Sequence, residues 1–319
     1  MPGSEGSESS TRQHSFVLLG HPVRHSLSAP MMTAAFRVAG LRHTYTPIDI
    51  RPEQLRRAAQ MIRDGIYEGA NITAPYKTDV VGLLDNLDPS AEAVGAVNVV
   101  AAGPARKLTG YNTDATALEA EIAQATKARS RAVVIGAGGA ALAAVAACKK
   151  VGFAVVGVTT RSWSDTMAIH ESASATRVRK LGGLAAVWPG AIEAPTTKLS
   201  VEMRLQWSEL ARACDLVIQA TSAGTLGGAP GDGIAAVVPF DGMNKNAVAI
   251  DLVYRPAQTP FLLAAERAGL KTVSGLGMLI RQAEETFRIW MGAAPEADVM
   301  RRAANVVLSG DAARFDTSG

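Results

Sequence analysis

The stretch Arg131 to Gly152, RAVVIGAGGAALAAVAACKKVG, decides the fold. Four apolar residues, Ala132 to Ile135, run straight into Gly136-Ala137-Gly138-Gly139-Ala140, and an alanine-rich helical stretch follows at once. This reads as a buried parallel strand, a tight turn and a helix, the βα unit of a dinucleotide-binding sheet. Gly136 permits the turn, Gly138 lets the backbone approach a pyrophosphate, and the small Ala141 keeps helix and strand close. The helix N-terminus then offers its free N–H groups to the anion. The unit begins only at residue 131, so the nucleotide site sits mid-chain and other structure precedes it.

A second strand over 154–158 ends without the Asp or Glu that would hold the ribose hydroxyls of NAD, about 20 residues past the glycines. The chain has Thr159-Thr160-Arg161-Ser162 there. A guanidinium makes paired, charge-assisted contacts with a ribose 2′-phosphate, which a carboxylate would repel. NADP is favoured over NAD on that ground, against the plainer reading of Arg161 as a solvated loop cation.

The 319 residues, 48% of them hydrophobic, suffice for two ordinary cores. Basic residues (32) and acidic residues (29) are interspersed, leaving +3 and no stripe suited to nucleic acid or an anionic membrane. A small molecule is the expected partner. Cys148 and Cys214 sit in apolar surroundings and imply neither a disulfide framework nor a thiolate metal site, which fits a reducing cytoplasm. No apolar run approaches a membrane span, and residues 1–15, rich in Ser, Gly and Glu, read as a disordered tail rather than a secretory signal. His21, His25 and His43 lack metal-ligand spacing, so no metal is expected. The absence of a G-x-S-x-G elbow weighs against a hydrolase.

From Phe16 the chain alternates short apolar strands with amphipathic helices, with helices expected over 29–39 and 53–63 and strands near 68–72, 96–101 and 107–110. An α/β chain of two domains follows. Residues 16–115, rejoined by C-terminal helices from about 276 to 319, form the N-terminal substrate-binding and catalytic domain, and 116–275 form a doubly wound, Rossmann-type NAD(P)-binding domain. The stretch between Arg161 and Asp215, with Trp163, Trp188, Pro189, Pro195 and Trp207, is longer than one helix and strand need and is expected to be a surface insertion. Periodicity leaves the strand order open.

Four polar clusters close apolar strands of the first domain, where open α/β sheets bind ligands: Ser26-Leu27-Ser28, the segment Asn71 to Lys77, Asn98, and Asn112-Thr113-Asp114. Hydroxyls, carboxamides, one ammonium and one carboxylate suit a polyhydroxylated carboxylic acid. Lys77 and Asp114 are the one pair of opposite charges among them. Hydride transfer to a ketone needs a proton donor as negative charge develops on oxygen, and an ammonium held by a carboxylate can serve. Each cluster also has a structural reading: Thr113, Asp114 and Ser28 as helix caps, and Pro75-Tyr76 as a turn before a surface Lys77.

Taken in order, these clusters resemble the shikimate dehydrogenase family, with its quinate/shikimate and shikimate-dehydrogenase-like members, from about Phe16 to Gly292. The matching motifs are GHPVRHSLS (20–28), NITAPYK (71–77), GAVN (95–98), GYNTD (110–114), GAGGA (136–140), QATSAG (219–224), DLVYRPAQT (251–259) and GLGMLIRQAEETFRIWMG (275–292). The resemblance implies reversible, NADP-linked oxidation of shikimate to 3-dehydroshikimate in aromatic amino acid synthesis, with Lys77 and Asp114 as the catalytic pair. It implies substrate binding by Ser26, Ser28, Thr73, Asn98, Tyr254 and Gln282. It places Gly136, Ala137, Gly138, Gly139 and Ala140 at the pyrophosphate, Thr160, Arg161 and Ser162 at the adenosine phosphate, and Thr221, Leu252 and Gly275 beside the dinucleotide. The family leaves monomer and homodimer both open.

Departures from the family pattern occur at Ala29, Pro30, Met32, Thr33, Ala117 and Thr160. They suggest a divergent paralogue, with an NAD-linked quinate/shikimate or aminoshikimate dehydrogenase as the alternative. A metabolite-sensing regulator of the same fold is a third reading. It would lose Lys77 and Asp114 and add a DNA-binding segment, and the chain keeps both residues and shows no basic helix.

Overall fold

The computed structural model describes residues 13–191 and 206–316; residues 1–12 of the expected tail and 192–205 of the expected insertion, including Pro195, lie outside the described residues. Twelve strands are described: β1 Ser15–Gly20, β2 Thr44–Asp49, β3 Gly69–Ile72, β4 Asn86–Leu87, β5 Val99–Ala102, β6 Leu108–Tyr111, β7 Arg131–Ile135, β8 Val155–Thr159, β9 Leu184–Ala186, β10 Leu216–Gln219, β11 Val248–Asp251 and β12 Lys271–Ser274. The helices are α1 Ser28–Val38, α2 Leu55–Arg63, α3 Pro89–Val94, α4 Thr113–Ala125, α5 Gly139–Lys150, α6 Thr166–Glu171, α7 Ala173–Lys180, α8 at 206–212, α9 Asp232–Ala235, α10 Pro260–Arg267, α11 Leu276–Met291 and α12 Val299–Asp316. None of them is long and apolar enough to cross a membrane.

Two compact units result, one of Met1–Leu87, Asn98–Tyr111 and Ala283–Gly319, the other of Asp88–Val97 and Asn112–Gln282. The first unit holds a mixed sheet in the order β2-β1-β3-β5-β6-β4. Strands β2, β1 and β3 run parallel, while β5 is antiparallel to both β3 and β6. Its largely aliphatic core holds an aromatic cluster: Phe16 stacks on Trp290 at 4.4 Å between centroids, and Phe36 packs on Phe287. Gly69 makes room for this, since a Cβ there would lie 2.6 Å from Trp290 Nε1.

The second unit holds an all-parallel sheet in the order β12-β11-β10-β7-β8-β9. This is the doubly wound order, with its switch point between β7 and β10, where ligands bind at the strands' carboxyl ends. Strands β7, β10 and β11 are almost continuously buried, as parallel strands covered on both faces must be.

The described part of the 162–214 stretch is not a surface insertion. It contributes α6, α7, the sheet strand β9 and α8, and Trp163, Trp188 and Trp207 are all buried. Large apolar side chains that a loop could not shelter are core here. The helix expected over 53–63 is split, a 3-10 turn at Pro52–Gln54 leading into α2.

Candidate active site

In the first unit the residue-level geometry gathers at one end of the mixed sheet. β1 and β3 both finish there, and antiparallel β5 begins there, with Asn71 paired to Val99. The Thr73 N–H donates to Leu19 O and the His21 N–H to Ala74 O, so the two strand-end loops are stitched together. Gly20 must lack a side chain, because a Cβ would run into Thr73 Cγ2. Tyr76 is buried and its hydroxyl donates to Ile50 O at 2.6 Å, which anchors the turn that carries half-buried Lys77. Asn98, 2% exposed, sits immediately before β5, and its carbonyl accepts from the Ile72 N–H and from Asn71 Nδ2. Ser26 Oγ accepts from the Ser28 N–H at 3.2 Å, while Ser28 makes no capping bond to its own helix. The structural alternative for Ser28 is thereby removed. α1 still begins at Ser28 despite Ala29 and Pro30, with Met32 fully buried.

In the second unit, α4 begins directly after β6 leaves the first. Its cap is Asn112, whose side chain accepts from the Ala115 N–H at 3.0 Å and donates to Ala96 O at 2.8 Å. Neither Thr113 nor Asp114 is the cap. Thr113 Oγ1 donates instead to the Gln282 carbonyl on α11 at 3.1 Å, and Asp114 lies buried in the first turn at 3% exposure. A carboxylate at that position is favoured by the N-terminal end of the helix dipole.

The residues expected at the nucleotide all follow carboxyl ends of strands in one sheet: Gly136 to Ala140 after β7, Thr160, Arg161 and Ser162 after β8, Thr221 after β10, Leu252 after β11 and Gly275 after β12. Gly136 has φ +123°, and a Cβ on it would lie 2.9 Å from Ala220 O. A Cβ on Gly138 would meet nothing within 4 Å, so the backbone there is open to an approaching phosphate. Gly138 caps α5 without a side-chain bond, which leaves first-turn N–H groups for an anion. Arg161 is exposed and makes no hydrogen bond or ion pair among the described residues. Gly275 packs against Leu252 O so closely that no side chain fits. These features fit a dinucleotide with a 2′-phosphate.

Three supporting residues escaped the sequence reading. In sequence Asn71 reads only as part of a polar cluster facing the ligand; its carboxamide instead accepts from Tyr45 OH and donates to Asn98 O and Thr286 Oγ1, fixing the Asn98 backbone. Trp163 closes the Arg161 loop, its N–H donating to Thr160 O and its Nε1 to Ser172 Oγ. Asp251 accepts from the Val253 N–H and from Thr259 Oγ1, which pins both ends of the loop bearing Tyr254. Burial pushes the Asp251 carboxyl up to about 6, against those two donors. Burial also pushes the Cys148 and Cys214 thiols up to about 12, the state of packed rather than reactive sulfur.

Residues 18–100 match the shikimate dehydrogenase substrate binding domain, and residues 275–304 match the shikimate 5′-dehydrogenase C-terminal domain. The chain is 37% identical over 309 residues to the shikimate dehydrogenase (NADP(+)) of Citrifermentans bemidjiense, spanning 95% of this chain and 96% of that one. It belongs to the shikimate dehydrogenase family. Among solved members of that family, the shikimate 5-dehydrogenase of Thermus thermophilus, in complex with NADP(H) and shikimate, is 31% identical with a TM-score of 0.71. The alignment covers 92% of this chain and 98% of that one. The fold reaches beyond shikimate: a 5-ketofructose reductase of Gluconobacter is 26% identical with a TM-score of 0.69, over 93% of this chain and 99% of that one.

Proposed function

We propose that this protein is an NADP-dependent shikimate dehydrogenase that interconverts shikimate and 3-dehydroshikimate. The observation that carries the reading is the conjunction, on a chain matching such enzymes along almost its whole length, of an open glycine turn with an exposed Arg161 that has no hydrogen-bond or ion-pair partner among the described residues. Bound NADP would lie along the carboxyl ends of β7, β8, β10 and β11, its pyrophosphate on Gly136 to Ala140 and its 2′-phosphate on Arg161, and it would supply or accept the hydride. Thr160 and Ser162 would flank the phosphate, and Thr221, Leu252 and Gly275 would line the rest of the dinucleotide.

On the substrate side, Ser26 and Ser28 hold the ring carboxylate, and Thr73, Asn98, Tyr254 and Gln282 hold ring hydroxyls. Lys77 gives a proton to the carbonyl oxygen during reduction and takes it back during oxidation. Asp114 accepts a hydrogen bond from a substrate hydroxyl and keeps the charge balance of the site favourable to an ammonium. General acid catalysis of this kind contributes about 10²–10⁴-fold.

Reduction of NADP, followed by nicotinamide absorbance, tests this with shikimate and quinate and with NADP and NAD. Shikimate with NADP is expected to give the highest kcat/KM. Lys77→Ala is expected to lower kcat by about 10²-fold or more while its KM for NADP stays within about twofold. Full turnover by that variant would remove Lys77 from the chemistry.

A further inference from the structure

Asp114 on α4 and Gln282 on the first part of α11, residues 276–282, belong to one unit, are far apart in sequence and need a common register. Two contacts supply it. Thr113 Oγ1 donates to the Gln282 carbonyl, and Arg281 Nε donates to Glu121 Oε1 at 2.7 Å. Glu121 lies seven residues after Asp114, two helical turns along the same face. Gly277 lies one turn before Arg281, and a Cβ there would come 2.7 Å from Glu121 Oε1. The bare backbone at Gly277 therefore makes the space that the Glu121 carboxylate fills. That side chain is 13% exposed and Arg281 37%, so the bond is shielded on its acidic side. Lys271 Nζ further ties the α4 end to β12 by donating to Ala125 O.

We infer that Glu121 and Arg281 are positioning residues that lock α4 against α11 and thereby set Asp114 and Gln282 at the spacing the substrate requires. The inference rests on the proposed roles of Asp114 and Gln282. A charge-assisted N–H···O bond fixes direction as well as distance, and misplacing a binding group by about 1 Å can lower turnover by about 10²-fold. The pair touches neither the glycine turn nor Arg161, and Gly275, two residues before Gly277, is held separately by donating its N–H to Val253 O and packing on Leu252 O, so loss of the pair should be felt chiefly by the ring acid.

The test is steady-state kinetics on Glu121→Gln, Glu121→Ala, Arg281→Ala, Arg281→Lys and the double alanine variant, with melting temperatures alongside and Asp114→Asn as comparator. Arg281→Ala is expected to raise KM for shikimate about 10-fold and lower kcat, with KM for NADP within about twofold of the parent. Arg281→Lys and Glu121→Gln, which each keep a polar partner, are expected to recover most of the loss. The double variant should be no worse than the poorer single one, the signature of residues acting through one bond. Additive losses, equal changes in both KM values, or no change in either would overturn the inference. An Asp114→Asn variant that retains parental turnover would overturn the reading of Asp114, and the register argument with it. If that variant is inactive while Arg281→Ala keeps the parental shikimate KM, only the register argument falls.

Discussion

Arg161 is the residue on which cofactor choice turns. It stands exposed after β8 and has no partner to give up among the described residues, so a phosphate gains its guanidinium without breaking an existing pair. Charge-assisted hydrogen bonds contribute about 1.5–3 kcal/mol, or roughly 10- to 100-fold. Arg161→Ala is expected to raise KM for NADP by that factor while KM for NAD stays within about twofold; an equal rise for both would overturn the phosphate assignment. Asp251 acts on the folded state. Its carboxyl lies at about 6, above the ordinary 3.8, so the folded protein holds this proton more tightly than the unfolded chain. The resulting stability is fully present below about pH 4 and is lost as pH rises through 6, amounting to about 3 kcal/mol across the window. Asp251→Asn keeps an acceptor for the Val253 N–H and does not titrate. Urea unfolding from pH 4 to pH 8 should show the parent falling relative to the variant by about that amount; a constant difference would remove Asp251 as the source.

At the scale of elements, α4 carries the most consequence for its length. Asn112, 1% exposed, caps it and also bonds back to Ala96 O, two buried bonds from one carboxamide. Asn112→Ala is expected to lower stability by about 1–3 kcal/mol, seen as a fall in melting temperature, and to raise KM for shikimate because the Asp114 turn loosens. An unchanged melting temperature would contradict this. The sequence reading placed this helix but gave the cap to Thr113 or Asp114, because all three residues have capping side chains and only the backbone path decides which one turns inward. The βα unit at Arg131 was legible because strand, glycines and helix are contiguous. β9 was not, since its three residues hydrogen-bond to β8 across a long intervening stretch. The Glu121–Arg281 bond joins residues 160 positions apart, and a single glutamate and arginine on two helical faces carry no local signal.

For the molecule as a whole, alternation of strands and helices was enough to read two α/β sheets, while the strand order inside each was not. Side-chain periodicity records which faces are buried and is silent on which edges pair. The chain between β3 and β5 reverses direction over residues 73–98, which makes β5 antiparallel to β3 and brings Asn98 beside the end of β3. The polar clusters were legible as a set because each follows an apolar run. Their supporting residues, Asn71, Trp163 and Asp251, were not, because a buried polar group is distinguished only by partners that the fold supplies.

The stacking of Phe16 on Trp290 sets an order on synthesis. The first ring leaves the ribosome with the opening strand and the second only with the last-but-one helix, on the order of half a minute later at roughly 5–20 residues per second. The Rossmann sheet, complete by Ser274, is made in full while the first sheet still lacks the helix that covers its aromatic face. Phe16 therefore waits through most of translation for the ring that stacks on it, so the first sheet, although it begins first, is the last to complete its core.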